Sequence, residues 1–480
     1  MANESSPPPI PSESSPRNRH SPTSRRDDPS HPLAPRGLQT SGTWQYLPLV
    51  QFYTLDDERA KLEFENIVSP RLLSLLRDWE YPSYTVTLAH AGYYADRTVP
   101  VVLVIAPLFK HEHAKTIVDE FDRLDREYLC EVFCYEGDTK GYGVADELQT
   151  HQLRPNCGSS IGPGKAVCGA DPTASSSLGF YLRFDGDDAI YATSVHHALG
   201  KNVDPVNFGS LADIPIQHPS SRDVARQIDE FEAEIQDAEA GKSELLIPVK
   251  KLQKDLEKLK KLDTTFGTVA ASAYGVIQSD DEKFISEDWL LIKVAPDKAG
   301  INHLRGSVAL TGKPPRPGLA WTPRDSYGVF VNGVDQPREG MWVRKAGRST
   351  GDTVARIEFA YSHAKLLDNP VETREWTIVS SVFSEKDVFA VEGDSGAPVV
   401  NRVGNLVGVV LGGVCGKPLE LHGHDELGKV YVTYITPAPF LIHRIGQVFG
   451  RTVSVERVDL DGIPGIIKPD ESYEGDDSDS

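Results

Sequence analysis

Residues 393–398 read Gly-Asp-Ser-Gly-Ala-Pro, between the apolar, β-type runs Phe389-Ala390-Val391 and Val399-Val400. Gly393, two places before Ser395, and Gly396, directly after it, let the backbone turn tightly. Such a turn can direct the N–H groups of Gly393 and Ser395 at one point, the geometry that holds a developing oxyanion. It also leaves the Ser395 hydroxyl able to attack a carbonyl carbon. That chemistry is acyl transfer, which needs a base for the hydroxyl proton and a group to orient the base. By itself the stretch would serve equally well as a Gly-rich hairpin with an incidental serine, so the upstream residues decide.

A base stands in Ala-Ile-Tyr-Ala-Thr-Ser-Val-His-His-Ala-Leu, residues 189–199, where a β-type run breaks into a turn carrying His196 and His197. An orienting carboxylate stands in Asp288-Trp289-Leu290-Leu291-Ile292-Lys293-Val294, where an aspartate opens a strongly apolar strand. Glu287, one residue earlier, is expected on the opposite face of that strand.

These segments resemble those of trypsin-like serine peptidases of the intracellular, disulfide-poor type. The 393–398 stretch is similar to the family's nucleophile loop, with Ala397 where a second glycine is usual. The 189–199 stretch is similar to its strand-then-Thr-x-x-His segment. Two alignments are open: Ser194 in the Thr position makes His197 the base, and Thr193 there makes it His196. His197 is preferred, because Ala198 and Leu199 then follow as a small apolar pair. The segment opening at Asp288 matches Asp-x-Ala-Leu-Ile, and Trp342–Thr353 resembles a Gly-Arg-Thr-Thr-Gly segment that leads into a barrel strand. The chain order His, Asp, Ser is that of the chymotrypsin-type fold.

The resemblance spans about residues 155–450 and implies a mainly β fold. Two antiparallel six-stranded β-barrels would hold the site between them, His197 and Asp288 from the first and Ser395 from the second. It implies a serine endopeptidase acting through an acyl-enzyme on a protein or peptide substrate, with no cofactor and no metal. The backbone N–H groups of Gly393 and Ser395 would form the oxyanion hole. By the family's layout Phe389 forms the base of the substrate pocket and Leu411, Gly412 and Gly413 one wall. No carboxylate lies at that base, so small or medium apolar side chains are expected there. In secreted relatives the aspartate at the Asp394 position pairs with a new N-terminus; here local backbone, Arg344 or Arg348 could take that place. The alternative function is a catalytically silent chymotrypsin-like module that binds peptides or serves as a scaffold. His422, His424, Asp425 and Glu426 could ligate a metal, but their Gly-containing surroundings read as an exposed loop.

The positioning elements must come from a chain of 480 residues with 39% hydrophobic and 25% charged residues. The net charge of −20 argues against nucleic-acid binding. No apolar run is long enough to span a bilayer, and the Ser/Pro/Arg-rich start shows no signal-peptide core. With only five cysteines, an odd number, an intracellular home, cytoplasmic or nuclear, is expected. Cys130 and Cys134 read as core residues of one strand.

Residues 1–42 read as a disordered Pro/Ser/Arg-rich tail and 458–480 as a disordered acidic tail. Residues 43–145 read as a small α/β domain with a split βαβ arrangement: helices at about 56–79 and 113–126, strands at 84–91, 98–106 and 129–135. His111 and His113 read as exposed. Between the base and its carboxylate, Val224, Ile228, Phe231, Ile235 and Ala238, then Val249, Leu252, Leu256 and Leu259, recur at alternating three- and four-residue spacings. This predicts an inserted αα-hairpin over 221–263, its first arm acidic and its second basic. The charges suit pairing between the arms, and self-association or partner docking is the sharper expectation.

Overall fold

The alternation of apolar residues in Asp288–Val294 is two-sided because the strand that contains them lies between two cores. In the computed structural model the strand is Phe284–Val294. Leu290, Ile292 and Val294 face a core shared with Ile161, Tyr181, Ala192 and Phe266. Trp289 and Leu291 face another, shared with Val400, Leu406, Leu441 and Ile445. A strand buried on both faces reads as a continuous apolar run, which is what the sequence shows.

The structure describes residues 51–53, 57–94, 97–137, 139–140, 155–166, 169–200, 203–205, 214–240, 249–278, 283–304, 329–366, 371–381, 388–419 and 428–456. The tails at 1–42 and 458–480, Cys168 and the stretch from His422 to Glu426 lie outside these residues.

An eight-stranded sheet contains Asp288 and leads into the turn bearing His196 and His197. Its order is Val453–Val455, Tyr181–Phe184, Tyr191–Ser194, Phe284–Val294, Thr265–Gln278, Pro215–Gln217, Ser160–Pro163 and Ser176–Ser177. The larger sheet has thirteen strands and contains a closed ring of seven: Asn405–Pro418, Val430–Pro437, Glu372–Ser381, Ser362–Lys365, Tyr84–Tyr94, Arg97–Ala106 and Glu131–Glu136, the last pairing back on the first. The mainly β class expected from the sequence is found. Three ring strands come from the stretch read as a small α/β unit, so its sheet is continuous with the C-terminal half. Val101, Leu103 and Ile105 face the ring interior. Val102, Val104 and Ala106 face the helices Ser69–Asp78 and His111–Arg123. The parallel strands Arg97–Ala106 and Glu131–Glu136 pair directly, so the βαβ unit is not split. His111 is exposed as expected, but His113 is half-buried, stacked on Trp79 with ring centroids 4.1 Å apart.

The helical hairpin forms as Ser221–Glu239 and Val249–Lys260. Ile235, Leu252 and Leu256 make its seam, joined by Ile228, Phe231 and Val249. Lys260 and Glu232 pair across the arms at 2.7 Å. Among the described residues there is no disulfide, and no helix is long and apolar enough to cross a membrane.

The two sheets also meet at Glu375, whose buried carboxylate accepts the Ser286 N–H at 3.0 Å. Burial, outweighing the hydrogen bonds from Ser286 and Thr373, pushes this carboxyl up from 4.5 to about 7. The folded state therefore binds the proton more tightly than the unfolded chain. The associated stability is present below about pH 4.5 and is lost as the pH rises toward about 7. Glu375→Gln should abolish a loss of about 3 kcal/mol across this window, measured by urea unfolding at a series of pH values. An unchanged pH slope would contradict it.

Candidate active site

Strand register sets the first half of the site. Leu290 pairs with Ser194 and Leu291 with Thr193. Extending that antiparallel register past the strand end puts Asp288 beside the backbone of His196, where the chain enters the short 3₁₀ turn His196–Leu199. Asp288 Oδ1 accepts the N–H of His196 at 2.6 Å and that of His197 at 3.3 Å. Its Oδ2 lies 2.5 Å from His197 Nδ1. A carboxylate accepts only, so Nδ1 carries the proton and Nε2 presents a lone pair. That Nε2 is buried and makes no hydrogen bond among the described residues, and none joins it to Ser395.

The two histidines are not interchangeable. His196 Nε2 lies 2.9 Å from the Val203 carbonyl and Nδ1 2.9 Å from the Ser272 hydroxyl. The carbonyl can only accept, so Nε2–H donates. Burial drives the His196 pKa down, against the opposing pull of Asp288. Both of its nitrogens are occupied, which leaves His197 as the imidazole that engages the carboxylate side chain. Glu287 lies on the opposite face, as expected: it accepts from Trp289 Nε1 at 3.0 Å and from Arg444 Nε at 2.9 Å.

The second half is the loop around Ser395. Asp394 N–H donates to Val391 O at 3.0 Å and Ala397 N–H to Asp394 O at 2.9 Å. Gly393 has φ +96° and Gly396 φ +89°, the left-handed region that favours glycine. A Cβ on Gly396 would also sit 2.4 Å from Ser177 O and 2.6 Å from Ser194 Oγ. Only glycine permits this approach of the two halves. Across it, Ser177 N–H donates to Ser395 O at 2.9 Å and Ser177 Oγ to Gly393 O at 3.0 Å. Ser194 Oγ donates to Ser177 O at 2.9 Å. The loop carrying Ser395 is thus bonded through Ser177 to the strand that ends three residues before His197. Ser395 itself is fully buried, and Ala397 packs in a core with Val343 and Ile378.

The peptide between Glu392 and Gly393 has a fixed orientation. Ser349 Oγ donates to the Glu392 carbonyl at 2.7 Å. In a trans peptide the N–H points opposite to the carbonyl, so the Gly393 N–H faces away from Ser349. It meets no acceptor among the described residues. The Asp394 carbonyl is likewise taken by Ala397, which turns the Ser395 N–H to the other side of its peptide.

Asp394 anchors the loop from inside, and its cation is neither Arg344 nor Arg348. Lys345 Nζ lies 3.2 Å from Asp394 Oδ2, and both side chains are fully buried. Asp394 also accepts from Ser349 N at 2.8 Å, Thr350 N at 3.2 Å, Thr350 Oγ1 at 2.7 Å and Val391 N at 3.1 Å. Burial lowers the Lys345 pKa, and Asp394 opposes that shift. Arg344 pairs instead with Asp352, and Arg348 with Asp223 of the helical hairpin. Asp223 is held below its ordinary pKa: burial works to raise it, but the Arg348 guanidinium outweighs burial.

The residues assigned to a pocket are also placed. Phe389 is buried in the same core as Ala397, its ring centroid 5.8 Å from Lys345 Nζ, and its carbonyl accepts from Thr353 Oγ1 at 2.7 Å. Leu411, Gly412 and Gly413 lie in strand Asn405–Pro418, where Gly412 pairs with Tyr434 on one side. The other edge is taken at Gly413 by Lys140 and at Val414 by Thr139, in antiparallel register.

Sequence reasoning missed Ser177, Asp223, Lys345 and Ser349 as parts of the site. Only Lys345 carried a signal: it alternates with Val343 and Gly347, an inward phase that implies a buried ammonium needing a carboxylate. Among the described residues no cluster of His, Cys, Asp and Glu could hold a metal ion.

No protein-family model matches the chain, and no curated protein matches it. Solved structures give loose likenesses. Thermobifida fusca Protease A is 13% identical, over 63% of this chain and 100% of that one, with a TM-score of 0.32. Cellulomonas bogoriensis chymotrypsin is 14% identical over 63% and 100%, with a TM-score of 0.31. An alpha-lytic protease homolog, N4, is 13% identical over 62% and 97%, with a TM-score of 0.30. The chemistry of the site therefore has to come from its own residues.

Lys345→Met would leave the Asp394 carboxylate buried without its cation. It should cost about 3–5 kcal/mol of stability in urea unfolding. A loss below about 1 kcal/mol would contradict the role given to this pair.

Proposed function

We propose that the protein is a serine endopeptidase that cleaves peptide bonds by acyl transfer. The observation that carries this reading is the His197 ring. Its Nδ1–H is fixed on Asp288, its Nε2 lone pair is unbonded, and its strand is tied through Ser177 to the loop bearing Ser395. In the reaction Ser395 Oγ adds to the scissile carbonyl while its proton passes to His197 Nε2. The N–H groups of Gly393 and Ser395 hold the oxyanion. The C–N bond then breaks, His197 returns the proton to the departing amine, and water, deprotonated by the same nitrogen, releases the acyl group from Ser395. Asp288 stays ionised and stabilises the imidazolium.

Ser395→Ala or His197→Ala should lower peptide turnover by roughly six orders of magnitude. His196→Gln should retain most of it, because that ring faces Ser272 and Val203. Equal hydrolysis by Ser395→Ala and the parent, or loss in His196→Gln with retention in His197→Ala, would overturn the assignment.

Specificity follows from the apolar floor. By the layout of the peptidases that the sequence resembles, Phe389 would form the pocket floor and Gly412–Gly413 a wall, and the buried Phe389 ring offers no carboxylate to hold Lys or Arg. Cleavage of a peptide library should favour small or medium apolar residues before the scissile bond. A profile dominated by Arg or Lys would refute this.

One observation favours a second reading, a silent peptide-binding module: Ser395 is fully buried. On that reading peptides bind and are released intact, at the same rate from the parent and from Ser395→Ala.

A further inference from the structure

The inserted helical hairpin reaches the nucleophile loop through a fully buried ion pair. Ser220 caps its first arm, accepting the Asp223 N–H at 3.3 Å. The cap puts Asp223 in the first turn, where its carboxylate faces the protein and not the second arm. Both Asp223 and Arg348 are fully buried. Arg348 Nε donates to Asp223 Oδ2 at 2.6 Å and a terminal nitrogen to Oδ1, a two-pronged contact that fixes the plane of the guanidinium. Ser160 Oγ donates to the same carboxylate.

The guanidinium faces the loop with its other terminal nitrogen. Arg348 Nη1 donates to Ser349 Oγ at 3.3 Å, and Ser349 Oγ donates to the Glu392 carbonyl at 2.7 Å. Because the hydroxyl accepts from the cation, its own proton is left for Glu392, and each bond polarises the next. Arg348 N–H also donates to Ser177 Oγ at 2.9 Å, the hydroxyl that holds Gly393 O. A Cβ on Gly393 would lie 2.3 Å from both Arg348 Nη1 and Ser349 Oγ, so the loop packs directly against the guanidinium and the hydroxyl.

We propose that the helical insertion is a positioning element for catalysis. Asp223 holds Arg348, Arg348 orients the Ser349 hydroxyl, and Ser349 keeps the Glu392–Gly393 peptide turned so that its N–H serves the oxyanion. This rests on the acyl-transfer reading. Asp223 and Arg348 are fully buried and the Ser349 hydroxyl is engaged by the Glu392 carbonyl, so on this proposal their effect is on the barrier and not on binding.

The test uses the full chain and a p-nitrophenyl ester of an N-acylated apolar amino acid. Asp223→Asn and Ser349→Ala should each lower kcat about 10- to 100-fold with KM within about threefold, a fraction of the loss from removing one oxyanion donor. Ser349→Thr, which keeps the hydroxyl, should restore most of the rate. The double variant should be little worse than either single one, because both break one chain of bonds. Ser349→Ala removes no charge, so it reports even where Asp223→Asn fails to fold. If both variants keep the parent's kcat while Ser395→Ala abolishes turnover, the positioning role is wrong and acyl transfer stands. If losses in the two single variants multiply in the double one, the two residues act separately and the relay is wrong. If Ser395→Ala hydrolyses the ester as fast as the parent, both readings fall.

Discussion

A carboxylate taken out of water must find its solvation in the protein, and Asp394 finds most of it in one turn. The segment from Lys345 to Thr350 supplies an ammonium, two backbone N–H groups and a hydroxyl to this single buried side chain. Leaving any of them unmet would cost more than the loop gains by relaxing. The backbone around Ser395 is therefore not free to choose its shape. Gly347 is part of the same constraint, because a Cβ there would lie 2.3 Å from Asp394 Oδ1. The ammonium comes from Lys345, within the strand Trp342–Gly347.

The other half of the site obeys a similar rule. Asp288 spends one oxygen on the backbone of His196 and His197 and the other on the His197 ring. The backbone bonds fix the turn, and the ring bond fixes the tautomer. Ser177 then ties the halves, with its N–H and hydroxyl on the Ser395 loop and its carbonyl on Ser194. Three small residues, Ser177, Ser194 and Gly396, make that junction, since a larger side chain at the last would force the sheets apart.

The mainly β class and several local elements were legible in the sequence. Glycines flanking a serine and histidines at a strand end depend on local chain properties, and the loop and the turn form where those segments suggested, whereas Asp288 lies inside the strand Phe284–Val294 and does not open it. The hairpin seam was legible for the same reason. What could not be read depends on contacts between distant segments. Nothing local says that Asp223 turns inward instead of joining its acidic neighbours, or that Arg348 is its partner. Nor does local pattern show that Tyr84–Tyr94, Arg97–Ala106 and Glu131–Glu136 close a ring with C-terminal strands, since their two-faced burial fits a separate α/β unit equally well. The choice between His196 and His197 rested on one residue of alignment, and only the partners of each ring separate them.

Ser395 labelling by a fluorophosphonate, mapped by mass spectrometry of the digested protein, tests the central claim most directly, because the probe needs a serine activated by a neighbouring base. The account predicts covalent modification of Ser395 alone in the parent, and none in His197→Ala. A parent that stays unmodified while fully folded, or a His197→Ala variant labelled at Ser395 as fast as the parent, would contradict it.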